Sequence, residues 1–508
     1  MQKEVNEKYN ILYITSDQQH FNTIGKFNPE ICTPNLDRLC DCGTCFDHAY
    51  TVNPTCTPTR ASLITGTYPS QHGAWTLGTK LPETETTIGK LMQEDGMKTA
   101  LIGKAHFQPL TSTTDYPSLE AYPILQDIDF WKNFDQDFYG FQTAKLARNH
   151  TSEAHVGQHY VAWLEEKGCD NWKDYFVAPT GNKDPNIQWE WDIPEEYHYD
   201  AWIAEETNKQ LEEYKNNGDY FFLWASFFDP HPKYLVPKNW VDLYRPEDLT
   251  LPEMIQGEHE DSPIVVQKTQ EDNPDYSAYE RSGYALHGMV SHTHRGLEEK
   301  RKDMAIYYAM VSLMDKYIGK ILDKLDELGL TDNTLIVFTT DHGHYFGQHG
   351  LIAKGPFMYE DAIKVPMIAS LPNKIPSGIV NTSMQSLVDI PVTCLSYCNV
   401  QIPYAMTGLN QRLVWEGKEK EVRNHIICEH NHERDSINLR AYVNKEYKLV
   451  IWYNQLEGEL YDLKNDPNEI KNQWNNPEYA DIRQELMMKY MFAELQKESL
   501  YMPRVDHA

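Results

Sequence analysis

The sequence predicts an α/β fold: a large, mostly parallel sheet sandwiched by helices, followed by a smaller C-terminal antiparallel sheet plus helix. Three observations predict it. Four compact apolar runs, NILYITSD at 10–17, KTALIGKAH at 98–106, DYFFLWASFFDPH at 219–231 and TLIVFTTDHG at 334–343, each end in polar residues. Runs of that form are strands covered on both faces, as in a parallel sheet. Between them lie helical patterns, clearest at 303–328, where apolar residues recur at three- and four-residue spacing. From about 406 the pattern changes to short strand-like runs, NHIICEH, NLRAYVNK, EYKLVIWY and GELYDL, with turn residues between them and a helical stretch at 477–497. The expected division is a catalytic α/β domain over 1–405 and an α+β subdomain over 406–508. Residues 232–300 have no sustained period and are rich in Pro, Asp, Glu, His and Tyr. They read as a long insertion near the site, in part a lid.

Charge and composition exclude several function classes. The 508 residues hold 75 acidic and 46 basic side chains, a formal charge of −29. That balance argues against nucleic acid or an anionic membrane as the main partner. The longest apolar run, at 220–228, is too short to cross a bilayer. The opening MQKEVNEKYN has no hydrophobic core of a signal peptide, so a cytoplasmic location is expected. Nine cysteines are an odd and sparse number, which reads as reduced thiols. Cys40, Cys42 and Cys45 do not make a paired C-x2-C zinc site, and no second half with matching spacing follows.

In open α/β sheets, ligands bind beyond the carboxyl ends of the strands. The four runs place Asp17 and Gln18, Lys104 and His106, His231, and Asp341 and His342 at those ends. Asp17, Gln18 and Asp341 are hard oxygen donors suited to Ca²⁺ or Mg²⁺. His342 is a softer ligand and leaves Mn²⁺ open. An Asp after a strand is also a common helix cap, so either Asp alone would carry little. Alternate residues of an extended segment share one side, so Lys104 and His106 can point into one pocket. In CTPTRASLITG at 56–66, Pro58 followed by a helical stretch puts Cys56 at a helix start. A helix N-terminus favours negative charge, and Arg60 adds positive field, so a thiolate nucleophile is one reading. A Cys-based phosphatase would want its arginine six residues after the cysteine, whereas Arg60 follows Cys56 by four.

Cys56-Thr57-Pro58-Thr59-Arg60, continued to Thr65-Gly66, resembles the C-x-P-x-R-x4-T-G signature of the type I, formylglycine-dependent sulfatases of the alkaline phosphatase superfamily. The likeness extends from NILYITSDQQ to GELYDLKNDPNE, over most of the chain. Asp17-Gln18 and Asp341-His342 match the family's two metal pairs. Lys104 and His106 match its G-K-x-H block, His231 its H-x-P segment, and Lys354 the lysine after the following H-G. The resemblance implies an alkaline phosphatase-like fold and one divalent cation, with Ca²⁺ expected and Mn²⁺ or Mg²⁺ open. It also implies oxidation of Cys56 to formylglycine by a maturation enzyme.

The same resemblance implies roles. The hydrated aldehyde attacks sulfur, and Arg60 holds the diol. Lys104 and Lys354 contact sulfate oxygens, and His231 protonates the leaving alcohol. His106 takes the proton of the second hydroxyl, so sulfate is expelled, where a serine would leave a stable ester. The expected function is hydrolysis of a sulfate ester, with aryl sulfates as surrogate substrates. The plentiful aromatic residues and acidic surface point to a small or exo-cleaved sulfated carbohydrate. Two rivals remain. One is the phosphonate monoester hydrolase and phosphodiesterase branch, which shares the metal set and, on this reading, lacks the G-K-x-H block. The other is an inactive sulfated-glycan-binding relative, which would be expected to lose Cys56 or a metal ligand. His344 stands where relatives usually carry an acidic residue. HGMVSHTHRG at 287–296, with His287, His292 and His294, is not matched to a family block and reads either as lining of a substrate subsite or as a polar loop.

Overall fold

The large sheet is built from β1 (Asn10–Ser16), β2 (Thr44–Tyr50), β3 (Lys98–Gly103), β4 (Thr143–Leu146), β5 (Phe221–Ser226), β6 (Thr334–Thr340), β7 (Met367–Ser370) and β8 (Ile379–Ser386). Their spatial order is β8-β2-β7-β6-β1-β5-β3-β4. β7 runs against both of its neighbours, β2 and β6, and the other pairings are parallel. The computed structural model describes residues 8–148, 155–176, 189–253, 255–280, 283, 296–433 and 435–507.

The central strands are apolar through their middles because both of their faces are covered. Along β1, Leu12 and Ile14 pack into one core, with α1 (Pro34–Cys42), α3 (Tyr199–Asn217) and α4 (Leu297–Glu327) supplying Leu36, Trp202 and Leu313. Ile11 and Tyr13 face the opposite core, with Ala61, Leu63 and Ile64 of α2 (Cys56–Thr65). The helical period at 303–328 lies within α4, and the strand-to-helix alternation holds as expected.

Strand register decides where the polar ends fall. Thr15 is paired with Ser226 and Ser16 with Thr340, while Gly103 is also paired with Ser226. The four predicted runs therefore stop at one level, and the residues after them meet above the same edge. Gly103 is a tight point in this arrangement. Its φ is +110°, and an added Cβ would lie 1.9 Å from the carbonyl oxygen of Ser226, which no side chain can occupy.

The small sheet has β9 (Ile426–Asn431), β10 (Asn438–Val443), β11 (Tyr447–Trp452) and β12 (Gly458–Asp462), paired antiparallel in that order. Ile427, Leu449 and Leu460 on one face pack against Leu486 and Ala493 of α5 (Ala480–Gln496). Between the two sheets, Met406 and Trp415 pack into the large-sheet core. The Glu429 backbone N–H donates to the carbonyl of Val52 at 2.7 Å, and its carboxylate accepts from Ser70 N and Oγ, each at 2.9 Å. The small sheet thus buttresses the loop that leads into Cys56.

Of the 232–300 insertion, Tyr234, Val236 and Leu249 pack on α4 beside Met304 and Tyr308. Glu258 is hydrogen-bonded to His349 at 3.2 Å. The histidine-rich segment 287–295 lies outside the described residues. Among the described residues, no helix is long and apolar enough to cross a membrane.

Gly103→Ala is expected to cost about 3 kcal/mol or more, the sum of a strained φ and a backbone clash. Urea denaturation checks this, and a loss below about 1 kcal/mol would mean that the strand end relaxes freely.

Candidate active site

The carboxyl edge of the sheet gathers the predicted residues from far-separated parts of the chain. β1 delivers Asp17 and Gln18, β3 delivers Lys104 and His106, and β6 delivers Asp341 and His342. β2 leads through a buried loop to α2, whose first residue is Cys56. In that loop, Asn53 Oδ1 accepts from Thr55 N at 2.8 Å and Thr55 Oγ at 2.6 Å, and the Asn53 carbonyl accepts from Thr59 Oγ at 2.8 Å. The turn is fixed by its own side chains, and the helix N-terminus aims Cys56 at the strand ends.

Cys56 Sγ lies 3.2 Å from His342 Nε2, 3.7 Å from Asp17 Oδ1 and 3.0 Å from Lys354 Nζ. Lys354 Nζ also lies 3.1 Å from His231 Nε2. Lys104 Nζ is paired with Asp17 Oδ2. Arg60 donates from Nε to Asp341 Oδ2 at 2.8 Å, and its Nη2 lies 3.3 Å from Asp17 Oδ2. The same guanidinium donates to Ser226 Oγ at 2.8 Å and to the Lys104 carbonyl at 3.1 Å. Asp17, Cys56, Arg60, Lys104 and Asp341 are each fully buried, and His106 nearly so. His231 and Lys354 are only partly buried, so the mouth of the site is on their side.

These charges set one another's protonation. Burial opposes ionisation of Asp17, but the cations Lys104, Arg60 and Lys354 together hold its carboxyl well below the usual range. Burial and Asp17 push the Cys56 thiol up, and Lys354 and Lys104 reverse this and leave it below an ordinary thiol. Desolvation and the Lys354 ammonium hold His231 well below an ordinary imidazole. Its hydrogen bonds agree: Nδ1 donates to the Pro232 carbonyl at 2.6 Å, so Nε2 is the acceptor for Lys354. Three buried or half-buried cations, Arg60, Lys104 and Lys354, face the two carboxylates Asp17 and Asp341. In a chain of net charge −29, this is a local excess of positive charge, suited to an anion.

The residues also fit a divalent cation. One donor atom from each of Asp17, Cys56, Asp341 and His342 can be chosen so that all lie within 4.8 Å of one another. Gln18 Oε1, on the residue after Asp17, is buried without a hydrogen-bond partner. A buried carbonyl oxygen in that state wants a cation or a donor, and two carboxylates and an amide oxygen are hard donors joined by one softer imidazole.

An α/β sheet that presents a helix-start cysteine, paired aspartates and a cluster of cations at one edge defines a hydrolase of anionic esters. Residues 9–400 match the Sulfatase family and residues 347–498 match the family described as N-sulphoglucosamine sulphohydrolase, C-terminal; the chain belongs to the sulfatase family, within the alkaline phosphatase superfamily, and is a sulfuric ester hydrolase. It is 27% identical to an arylsulfatase of Clostridium perfringens, over 96% of this chain and 95% of that one. It is equally 27% identical to an N-acetylglucosamine-6-O-sulfatase of Bacteroides thetaiotaomicron, over 98% of this chain and 88% of that one. The crystal structure of a phosphonate monoester hydrolase of Agrobacterium radiobacter superposes with a TM-score of 0.79 at 21% identity, covering 97% of both chains. That likeness is one of fold.

Sequence reasoning did not find Ser226, Tyr234 or Tyr307. Ser226 ends the apolar run of β5 and hydrogen-bonds Arg60, so the signal that marked Asp17 was present there too. Tyr307 Oη donates to the Gln18 carbonyl at 2.6 Å, but it sits within the apolar stripe of α4, where nothing in the sequence sets it apart.

Arg60→Leu is expected to destabilise the protein by about 3–5 kcal/mol in chelator, since it leaves the buried Asp341 without its cationic partner, while Asp17 keeps Lys104. Urea denaturation reads this. A change below about 1 kcal/mol would show that Asp341 needs no cationic partner.

Proposed function

We propose that the chain hydrolyses a sulfate ester at Cys56, with a small or exo-cleaved sulfated carbohydrate as substrate. The observation that carries this is the contact of Lys354 Nζ with both Cys56 Sγ and His231 Nε2, at 3.0 Å and 3.1 Å. It sets a nucleophile position, a cation for the transferred group and an imidazole at the mouth along one short path. The Bacteroides relative, named for a sulfated amino sugar, supports the carbohydrate reading. Retention of Lys104 and His106 favours sulfate over phosphonate esters.

Oxidised to formylglycine by a maturation enzyme, Cys56 would supply a hydrated aldehyde as nucleophile where Sγ now lies. A divalent cation, Ca²⁺ by its hard donors, would be held by Asp17, Gln18, Asp341 and His342 and would lower the pKa of the attacking hydroxyl. The remaining work falls to the chain's own groups. Lys104 and Lys354 hold sulfate oxygens and neutralise charge as the S–O bond breaks. Arg60, engaged with both aspartates, keeps the carboxylates in place and adds positive field below the nucleophile. His231 gives its Nε2 proton to the leaving oxygen. In the free protein that nitrogen accepts from Lys354, so the anionic substrate, by drawing Lys354 to itself, favours protonation of His231. His106, two residues beyond Lys104, takes a proton from the second hydroxyl of the aldehyde hydrate.

The test is turnover by protein matured in a host that makes formylglycine. A nitrophenyl sulfate and a panel of sulfated sugars should be cleaved well ahead of a phosphonate monoester, and peptide mass should show the aldehyde at Cys56. Active enzyme carrying only thiol at Cys56, or a preference for the phosphonate, would sink this reading.

Leaving-group dependence separates the roles at the mouth. An aryl oxide departs with little help, whereas a sugar alkoxide needs a proton. His231→Ala should therefore cost about 10²–10⁴-fold on sugar sulfates and far less on the nitrophenyl ester. Lys354→Ala should weaken both alike. Equal losses for His231→Ala would assign His231 to sulfate binding.

A further inference from the structure

Gln18 can hold a cation only through Oε1, so what fixes its amide decides whether it is a ligand. The residue is fully buried and has a φ of +62°. Its backbone is pinned at both ends: N–H donates to Asp341 Oδ1 at 3.0 Å, and the carbonyl accepts from Tyr307 Oη at 2.6 Å. The two ends of the side-chain amide differ. One end is engaged: Nε2 is 3.0 Å from His344 Nδ1, while Oε1 is buried without a hydrogen-bond partner on a residue whose backbone N–H bonds Asp341 of the proposed cation site. An amide turned the other way would present NH₂ to the cation site and lose its function as a ligand.

His344 is itself fully buried and held on all sides. Its ring lies 4.6 Å from that of Tyr307 and 4.8 Å from that of Phe346, centroid to centroid. Its Nε2 is 3.1 Å from Tyr234 Oη. Gln18 Nε2 can only donate, so His344 Nδ1 accepts and the ring proton lies on Nε2, where Tyr234 Oη accepts it. The constraint runs from the Nδ1 lone pair to the NH₂ end of the amide, and from the amide to Oε1, which is left buried with no hydrogen-bond partner.

We infer that His344 is a positioning residue which, through Gln18, turns a carbonyl oxygen toward the cation and so sets the affinity of the site. The inference rests on the cation reading proposed above. Neighbours that orient a ligand typically govern metal affinity by about 10–100-fold.

The test is calorimetric titration of chelator-treated protein with calcium chloride, which needs no turnover. His344→Leu should bind calcium about 10–100-fold more weakly. His344→Asn, whose Oδ1 can accept near the former Nδ1, should stay within about 3-fold of the parent, because it restores the orienting acceptor. In a Gln18→Ala background, His344→Leu should have no further effect, which a general structural role would not predict. Thermal unfolding in chelator shows that the variants fold. If His344→Leu does not, His344→Phe keeps a ring between Tyr307 and Phe346 and makes the same comparison. Parent-like affinity in His344→Leu, or an undiminished loss in the Gln18→Ala background, would overturn the inference. A parent chain that binds no calcium would instead overturn the cation reading itself.

Discussion

The Arg60 guanidinium is the interaction on which the site depends. It is fully buried, engages both Asp17 and Asp341, and also bonds Ser226 and the Lys104 carbonyl. Through it the ends of β1, β3, β5 and β6 are tied to α2. Two carboxylates so close together in a dry interior repel each other. A delocalised, permanently charged fork is the side chain able to bond both without yielding its own proton. Both carboxylates are thereby held in place, and the helix bearing Cys56 is locked at the height where its first residue reaches them.

Depth separates the duties of the remaining groups. The buried floor carries Asp17, Asp341, Arg60 and Lys104. The mouth carries Lys354 and His231, which are partly open to solvent. Charges buried on the floor are weakly screened by solvent and salt. The groups at the mouth are those whose hydrogen bonds can be redistributed when substrate enters. The excess of cations is local; the acidic remainder of the surface would repel a long polyanion.

Much of this was legible in the residues. An apolar run that stops at Asp17, Lys104 or Asp341 announces both a strand and its carboxyl end, and the parallel register makes those ends converge. The start of α2 at Cys56 follows from Pro58 and the helical stretch after it. Tyr307 was hidden because its ring belongs to an apolar stripe and only its hydroxyl serves the site. His344 was visible as a departure but had no role, since its partners Gln18 and Tyr234 lie 326 and 110 residues away in sequence. Ser226 could have been found by the rule that found Asp17. The packing of Met406 and Trp415 onto the large sheet was hidden as well, because the change in periodicity falls before the change in packing partner.

Burial of Cys56 has a consequence for the order of events during synthesis. Its neighbours Asp341, His342 and Lys354 are made nearly three hundred residues after it, and they close over it only when β6 adds to β1. Once that has happened the thiol is fully enclosed, and no other protein can grip the peptide around it. Any enzyme that oxidises Cys56 must therefore act on a nascent or unfolded chain. The β1–β6 pairing is a contact of very long sequence separation, the kind that forms late in folding, so the interval open to such an enzyme would be long.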